Sequence, residues 1–269
     1  MRATRPFLKW AGGKYNCLDK IIPSLPAGKR LIEPFTGSGA IYMNTHYNAY
    51  ILGEKNPDLV NLYSQLKTHG LSFIEYCQEY FTGAYNNKEQ YYLLREKFNL
   101  TPFNSHRAAL FLYLNRHGYN GLCRYNSRGI YNVPFGLYTK PYFPALEMKL
   151  FYSKSQYTDF YLQDFRNSFA AAEPGDVIYC DPPYVPINTH TKAFSYTKNQ
   201  FTLSDQQELA DLAAITAARG IPVVISNHDT ESTRVFYQRA KIKYFPVARY
   251  INCQYQLRKP VQELLAIFN

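Results

Sequence analysis

At both ends of the chain short apolar runs alternate with segments of helical period, and the middle breaks that rhythm. Leu31-Ile32 ending at Glu33, Tyr50 to Glu54, Thr158 to Leu162, Val177 to Asp181, Ile221 to Ser226, Ile242 to Ala248 and Gln262 to Phe268 have the composition of strands. Between them, Leu18 to Leu25, stopped by Pro26, then Ala40 to Asn44, Asn56-Pro57-Asp58 through Leu66, Tyr142 to Lys154 and a short segment after Thr230 read as helices. Ser204-Asp205-Gln206-Gln207 has the form of a capping box with Ser204 at the cap, which predicts a helix to Arg219. Strands and helices in alternation predict an α/β fold, a mostly parallel twisted sheet with helices on both faces.

From Leu71 to about Pro141 the alternation stops. Phe73 to Tyr80, Glu89 to Phe98 and His106 to His117 predict three amphipathic helices. The run from Gly118 to Tyr138 follows, with Ser127-Arg128-Gly129 at its middle, which suggests a hairpin or an ordered loop. The block reads as an inserted recognition unit, 68–141, between the two parts of a larger domain, 1–67 and 142–269. A helical lid with a solvated loop is the alternative.

The 46% hydrophobic content supports a large core, and no apolar run approaches the roughly 20 residues of a membrane span. Basic residues near Met1 are not followed by the apolar segment of a secretory signal. Cys17, Cys77, Cys123, Cys180 and Cys253 are scattered, without C-x-x-C and without a nearby histidine pair. Neither a disulfide framework nor a zinc site is indicated, and the thiols fit a reduced cytoplasm. A net charge of +10 points to a polyanionic partner. The 26 tyrosines, many interleaved with Arg, Lys and Asn, add flat rings suited to base stacking, although most also fit the boundary between core and surface.

Candidate chemistry gathers at three places. Asp181-Pro182-Pro183-Tyr184 ends an apolar strand at a carboxylate, and the prolines stop both ladder and helix. With no N–H on Pro182, its carbonyl is expected to face outward beside Asp181, and Tyr184 supplies a ring: two acceptors and a flat face suit a planar amine such as that of a nucleobase. Alone, the tetrapeptide is also an ordinary surface turn. Leu31 to Gly39 is a strand feeding a glycine-rich turn around Gly37, and about twenty residues on a second strand ends in Glu54, the layout of an adenosine-containing cofactor site. Phe7-Leu8-Lys9-Trp10-Ala11-Gly12-Gly13-Lys14 sets two glycines between cations, where backbone can approach a ligand closely. The polar stretches 188–192 and 195–199 beside the corner could close over a substrate.

Together, Phe7 to Lys14, Glu33 to Gly39, Asn115 to Tyr125, Asn132 to Gly136, Asp181 to Tyr184 and Ser226 to Asp229 make the chain resemble a Dam-type DNA adenine methyltransferase over nearly its whole length. The resemblance implies a Rossmann-like S-adenosylmethionine fold with a helical target-recognition insertion. The implied reaction is methyl transfer to the adenine amine in double-stranded DNA, within GATC, by base flipping, without metal or membrane, in a cytoplasmic monomer. It places Trp10, Ala11, Lys14, Phe35, Gly37 and Glu54 around the cofactor, with Asp164 and Phe165 near its adenine and Asp181 beside it. Asp181, Pro182 and Tyr184 would hold the target base. Lys9, Tyr119, Asn120, Leu122, Arg124, Asn132, Pro134 and Tyr138 would face DNA, Arg124 as a guanine reader. Three departures stand out: Glu54 where the family has aspartate, Leu137 where a basic residue is common, and 251–256, which lacks the usual Ser/Asn-Gly turn. Competing readings are methylation of a cytosine amine, an RNA adenine or a protein glutamine, and a catalytically silent DNA-binding protein.

Overall fold

The computed structural model describes residues 3–185, 201–247 and 261–269. Seven strands among them form one sheet: β1 (Arg30–Glu33), β2 (Ala49–Glu54), β3 (Thr158–Leu162), β4 (Asp176–Cys180), β5 (Val223–His228), β6 (Lys241–Val247) and β7 (Val261–Phe268), in the order β3-β2-β1-β4-β5-β7-β6. β1 to β5 are parallel, and β7 enters antiparallel to both β5 and β6. The helices are α1 (Leu18–Ile21), α2 (Ala40–Asn44), α3 (Pro57–Gln78), α4 (Lys88–Leu100), α5 (Ser105–His117), α6 (Ala145–Ser155), α7 (Phe165–Ala170), α8 (Leu203–Ala218) and α9 (Glu231–Phe236).

Side chains alternate across the strands, so β1, β2, β4, β5 and β7 each feed two cores. Leu31, Tyr50, Leu52, Val177, Tyr179 and Val224 face α2, α3 and α6, whereas Ile32, Ile51, Ile178, Cys180 and Ile225 face α7 and α8. This double burial explains why the parallel strands read as continuous apolar runs. The first core continues without a break into α4 and α5 through Tyr91, Leu94, Phe98 and Ala108 to Leu114.

The seven expected strands are all present, and four helical expectations shift. The segments ending at Leu66 and beginning at Phe73 are one span, α3, broken only at Gly70 (φ 53, ψ −123), where an added Cβ would lie 2.5 Å from Tyr152 Cζ. The boundary expected at 67/68 falls inside that span. The segment from Leu18 is a short α-helix flanked by 3-10 turns, and α6 begins after Pro144 rather than at Tyr142. α8 is capped by Thr202, whose Oγ1 accepts from Asp205 N while Asp205 Oδ2 accepts from Thr202 N, so the box lies two residues before the expected one. The 118–138 run is an ordered loop with single bridges at Gly118 to Phe135 and Tyr125 to Tyr131, turning at Asn126 to Gly129. The stretches 188–192, 195–199 and 251–256 lie outside the described residues.

Candidate active site

Parallel strands deliver their last residues to one edge of the sheet, where β1 and β2 end in Glu33 and Glu54 and Asp181 directly follows β4. The crevice outside those carboxyl ends, where the strand order reverses between β1 and β4, is the ligand site of such sheets.

The turn after β1 needs glycine at position 37: φ is +49, and an added Cβ would come 3.1 Å from Trp10 Nε1. Thr36 fastens the turn to β2 through its N–H and Oγ1, both donating to the Gly53 carbonyl, and Tyr63 OH donates to the Gly37 carbonyl at 2.6 Å. Glu54 takes the Gly37 N–H on Oε2, at 3.1 Å, and the Lys55 and Asn56 N–H groups on Oε1, at 2.8 and 3.0 Å. Burial raises its carboxyl against these three donors. Glutamate in place of aspartate thus keeps its carboxylate at the turn. Phe35 stacks on Phe165, centroids 5.7 Å apart, and Phe201 meets both rings edge-on. Asp164, the cap of α7, pairs with Lys55 and Arg166; although burial opposes it, these bonds hold its carboxyl below the usual range.

The corner at Asp181 to Tyr184 stands against the end of β5. Asp181 Oδ1 receives Lys14 Nζ and Ser226 Oγ, each at 2.9 Å, and the Asp181 side chain stays 21% exposed. Lys14 also donates to the Gly12 carbonyl and lies 4.5 Å over the Tyr184 ring. Tyr184 OH donates to Glu263 at 3.0 Å, and burial, with Asp181 and Glu263 adding to it, pushes that phenol well above its ordinary range. Pro182 is buried. Gln206 Nε2 donates to the Pro183 carbonyl at 2.7 Å, and Asn227 Oδ1 accepts the Val185 N–H at 3.2 Å. Asn227 Nδ2 in turn donates to Gln206 Oε1 and Tyr237 OH. Buried amides therefore brace the backbone at Pro183 and Val185.

Ten to fourteen is the stretch that joins these halves. Trp10 covers Gly37, Ala11 is half-buried beside it in the chain, and Lys14 reaches Asp181. Lys9 begins a second group. Its backbone N–H and carbonyl pair with the Asn115 side chain at 2.9 and 2.7 Å, and its ammonium rests 3.7 Å over the Tyr138 ring. Burial, with Arg116 adding to it, draws Lys9 down to about 8. Tyr119 N donates to the Pro134 carbonyl, and Arg124 Nε to Asn132 Oδ1 at 2.8 Å. Tyr119, Asn120, Arg124 and Pro134 are exposed, and Leu122 and Tyr138 are half-buried. Asn120 and Leu137 hold positive φ, 52 and 54, and Leu137 is 84% exposed.

The residues the sequence reading left without a role are Ser226, Asn227, Gln206, Glu263 and Asn115. Their signal was polar side chains at the end of an apolar strand or helix, a signal that names no partner until strand neighbours are known. Among the described residues no group of three His, Cys, Asp or Glu is placed to hold a metal, and no helix is long and apolar enough to cross a membrane.

The sequence matches the family described as D12 class N6 adenine-specific DNA methyltransferase over residues 10–250. It is 48% identical over 269 residues to the DNA adenine methylase of Serratia marcescens, covering 100% of both chains. To that of Escherichia coli (strain K12) it is 48% identical over 268 residues, 100% of this chain and 96% of the relative. To that of Vibrio cholerae serotype O1 (strain ATCC 39315 / El Tor Inaba N16961) it is 46% identical over 269 residues, 100% and 97%.

Proposed function

The chain belongs to the D12 class N6 adenine-specific DNA methyltransferases, and from that membership we propose that it carries a methyl group from S-adenosylmethionine to an adenine turned out of duplex DNA, within GATC. One observation supports this reading above the others: the turn at 10–14 lays Trp10 on Gly37 and Lys14 on Asp181, so the glycine turn and the acceptor corner are halves of one site.

The residues at the glycine turn fit the cofactor. Glu54 holds a carboxylate at the turn for a ribose diol, Gly37 lets the turn's backbone pack directly against Trp10, and half-buried Phe35, backed by Phe165, presents an apolar wall to a purine. When bound, S-adenosylmethionine supplies an electrophilic methyl group. In this reading Asp181 and Pro182 accept the hydrogens of the adenine amine and the Tyr184 ring stacks on the base, offsetting the few kcal/mol that extrusion costs. Positive charge would grow on the amine nitrogen as it took that methyl group, the donor leaving as a thioether and the nitrogen then shedding a proton to solvent. A fixed carboxylate stabilises that charge more in the transition state than in the ground state. The amine displaces Lys14 from the space between Asp181 and the Tyr184 ring. Residues 68–141 serve as the target-recognition insertion, with Lys9, Tyr119, Asn120, Leu122, Arg124, Asn132, Pro134 and Tyr138 toward DNA.

Labelled cofactor with duplexes that differ at one adenine tests this directly. We expect label only where GATC is intact, and Asp181→Ala should lower turnover roughly a hundredfold or more while cofactor still binds. Label on an adenine-free duplex, or unchanged turnover in the variant, overturns the reading.

A further inference from the structure

β5 lies beside β4 in parallel, with Cys180 opposite Ile225, so the register carries Ser226 to the side of Asp181. From that placement we infer that Ser226 is a positioning residue for the acceptor carboxylate, and that Tyr179 fixes Ser226 in turn. The inference rests on Asp181 being the amine acceptor.

Ser226 is fully buried. Its Oγ lies 2.9 Å from Asp181 Oδ1, 3.0 Å from Tyr179 OH and 3.4 Å from the Cys180 carbonyl. A hydroxyl has one proton to give. The charged oxygen at the shorter distance takes it, and Tyr179 donates to the lone pair left on Oγ. Tyr179 to Ser226 to Asp181 is the direction in which each donor finds an acceptor. Tyr179 is itself buried, and burial, with Asp181 adding to it, raises its phenol far above neutrality, so it remains a donor.

Oδ1 is thus held from two sides by unlike groups. Lys14 comes from a turn on a long side chain that can swing away; Ser226 comes from inside a strand on a single carbon and cannot. When the incoming amine takes Lys14's place, Ser226 is the donor that remains on Oδ1 and still sets the plane of the carboxylate. Orientation held by such a supporting bond carries catalytic weight without touching substrate.

Ser226→Ala, Tyr179→Phe, Ser226→Thr and Asp181→Ala are compared by steady-state kinetics on a GATC duplex, with thermal melts of the same samples. We expect Ser226→Ala to lower kcat about tenfold, the factor that follows from losing one hydrogen bond to a charged group, with KM for duplex and cofactor almost unchanged. Tyr179→Phe should give a smaller loss in kcat with a melt close to the parent, and Ser226→Thr, which keeps the hydroxyl, should recover most of the rate. Adding Ser226→Ala to Asp181→Ala should cost nothing further. A kcat for Ser226→Ala close to the parent overturns the inference, as does an equal loss in Ser226→Thr or a change confined to KM. If Asp181→Ala itself turns over normally, the acceptor reading fails instead, and the two failures are told apart.

Discussion

Glu33 closes β1 beneath the acceptor corner, 2% exposed, and among the described residues its Oε1 meets no hydrogen-bond partner. Burial pushes its carboxyl up from 4.5 to about 8; Lys154 opposes the rise and Asp181 adds to it. A carboxyl raised on folding is stable in its site while protonated. As pH climbs from the unfolded value toward the folded one, the unfolded chain releases a proton the folded chain retains, so stability falls across that window. Between about pH 5 and about pH 8 the loss from this one group is on the order of 3 kcal/mol. Glu33→Gln should remove that slope and leave the variant the more stable of the two at the alkaline end. Denaturant titrations of both proteins across the window check it, and parallel slopes would refute it. Glycine-turn logic alone finds Glu33 as the residue before Pro34; that its side chain is folded into the core is decided by the sheet's packing.

At the scale of elements, the start of α8 shows how a local rule can be met twice. Thr202-x-x-Asp205 and Ser204-x-x-Gln207 both satisfy the capping pattern. Asp205 also pairs with Arg166 at 2.8 Å, and Gln207 turns to Asp211, so the tertiary ion pair favours the earlier box. Burial works against the Asp205 carboxylate, yet the bonds from Arg166 and Thr202 hold it near 2. Thr202→Ala should therefore destabilise the protein by about 1 kcal/mol and Ser204→Ala by almost nothing, read from melting midpoints. A larger loss in the serine variant would restore the later cap. The same contrast separates what could be read along the chain from what could not. The strands and the glycine turn rest on period and on short-range chemistry, and they stand where expected. The Ser226 to Asp181 pair, the Gln206 to Pro183 bond and the Asn115 clasp on Lys9 join residues 45, 23 and 106 positions apart, and the packing of strands and helices decides them. Leu137 marks the opposite limit. Its φ of +54 is something nothing in a leucine announces.

Across the whole molecule, six consecutive residues connect three tasks. Lys9 is clasped by Asn115 and packed against Gly121 of the proposed recognition loop, Trp10 covers the glycine turn, and Lys14 holds the Asp181 carboxylate proposed to take the amine. Asn115, 1% exposed near the end of α5, is the clasp: it pairs with both backbone groups of Lys9, and its amide also reaches the Gly121 carbonyl at 3.3 Å. Where the Lys9 side chain crosses the loop, an added Cβ at Gly121 would lie 2.2 Å from the Lys9 Cβ, so the two segments are packed in close contact. A loop that engages the wrong bases should then displace Lys9 and, through the short turn, Lys14. Asn115→Ala breaks that link while leaving every group proposed to meet DNA or cofactor in the chain. We expect the ratio of kcat/KM between GATC and a duplex changed at one flanking base pair to fall about tenfold, which corresponds to roughly 1.4 kcal/mol of lost discrimination. Loss of a buried amide also lowers the melting point, so the comparison is made well below it. If both duplexes slow by the same factor, the clasp serves stability alone, and recognition reaches the acceptor corner by another route.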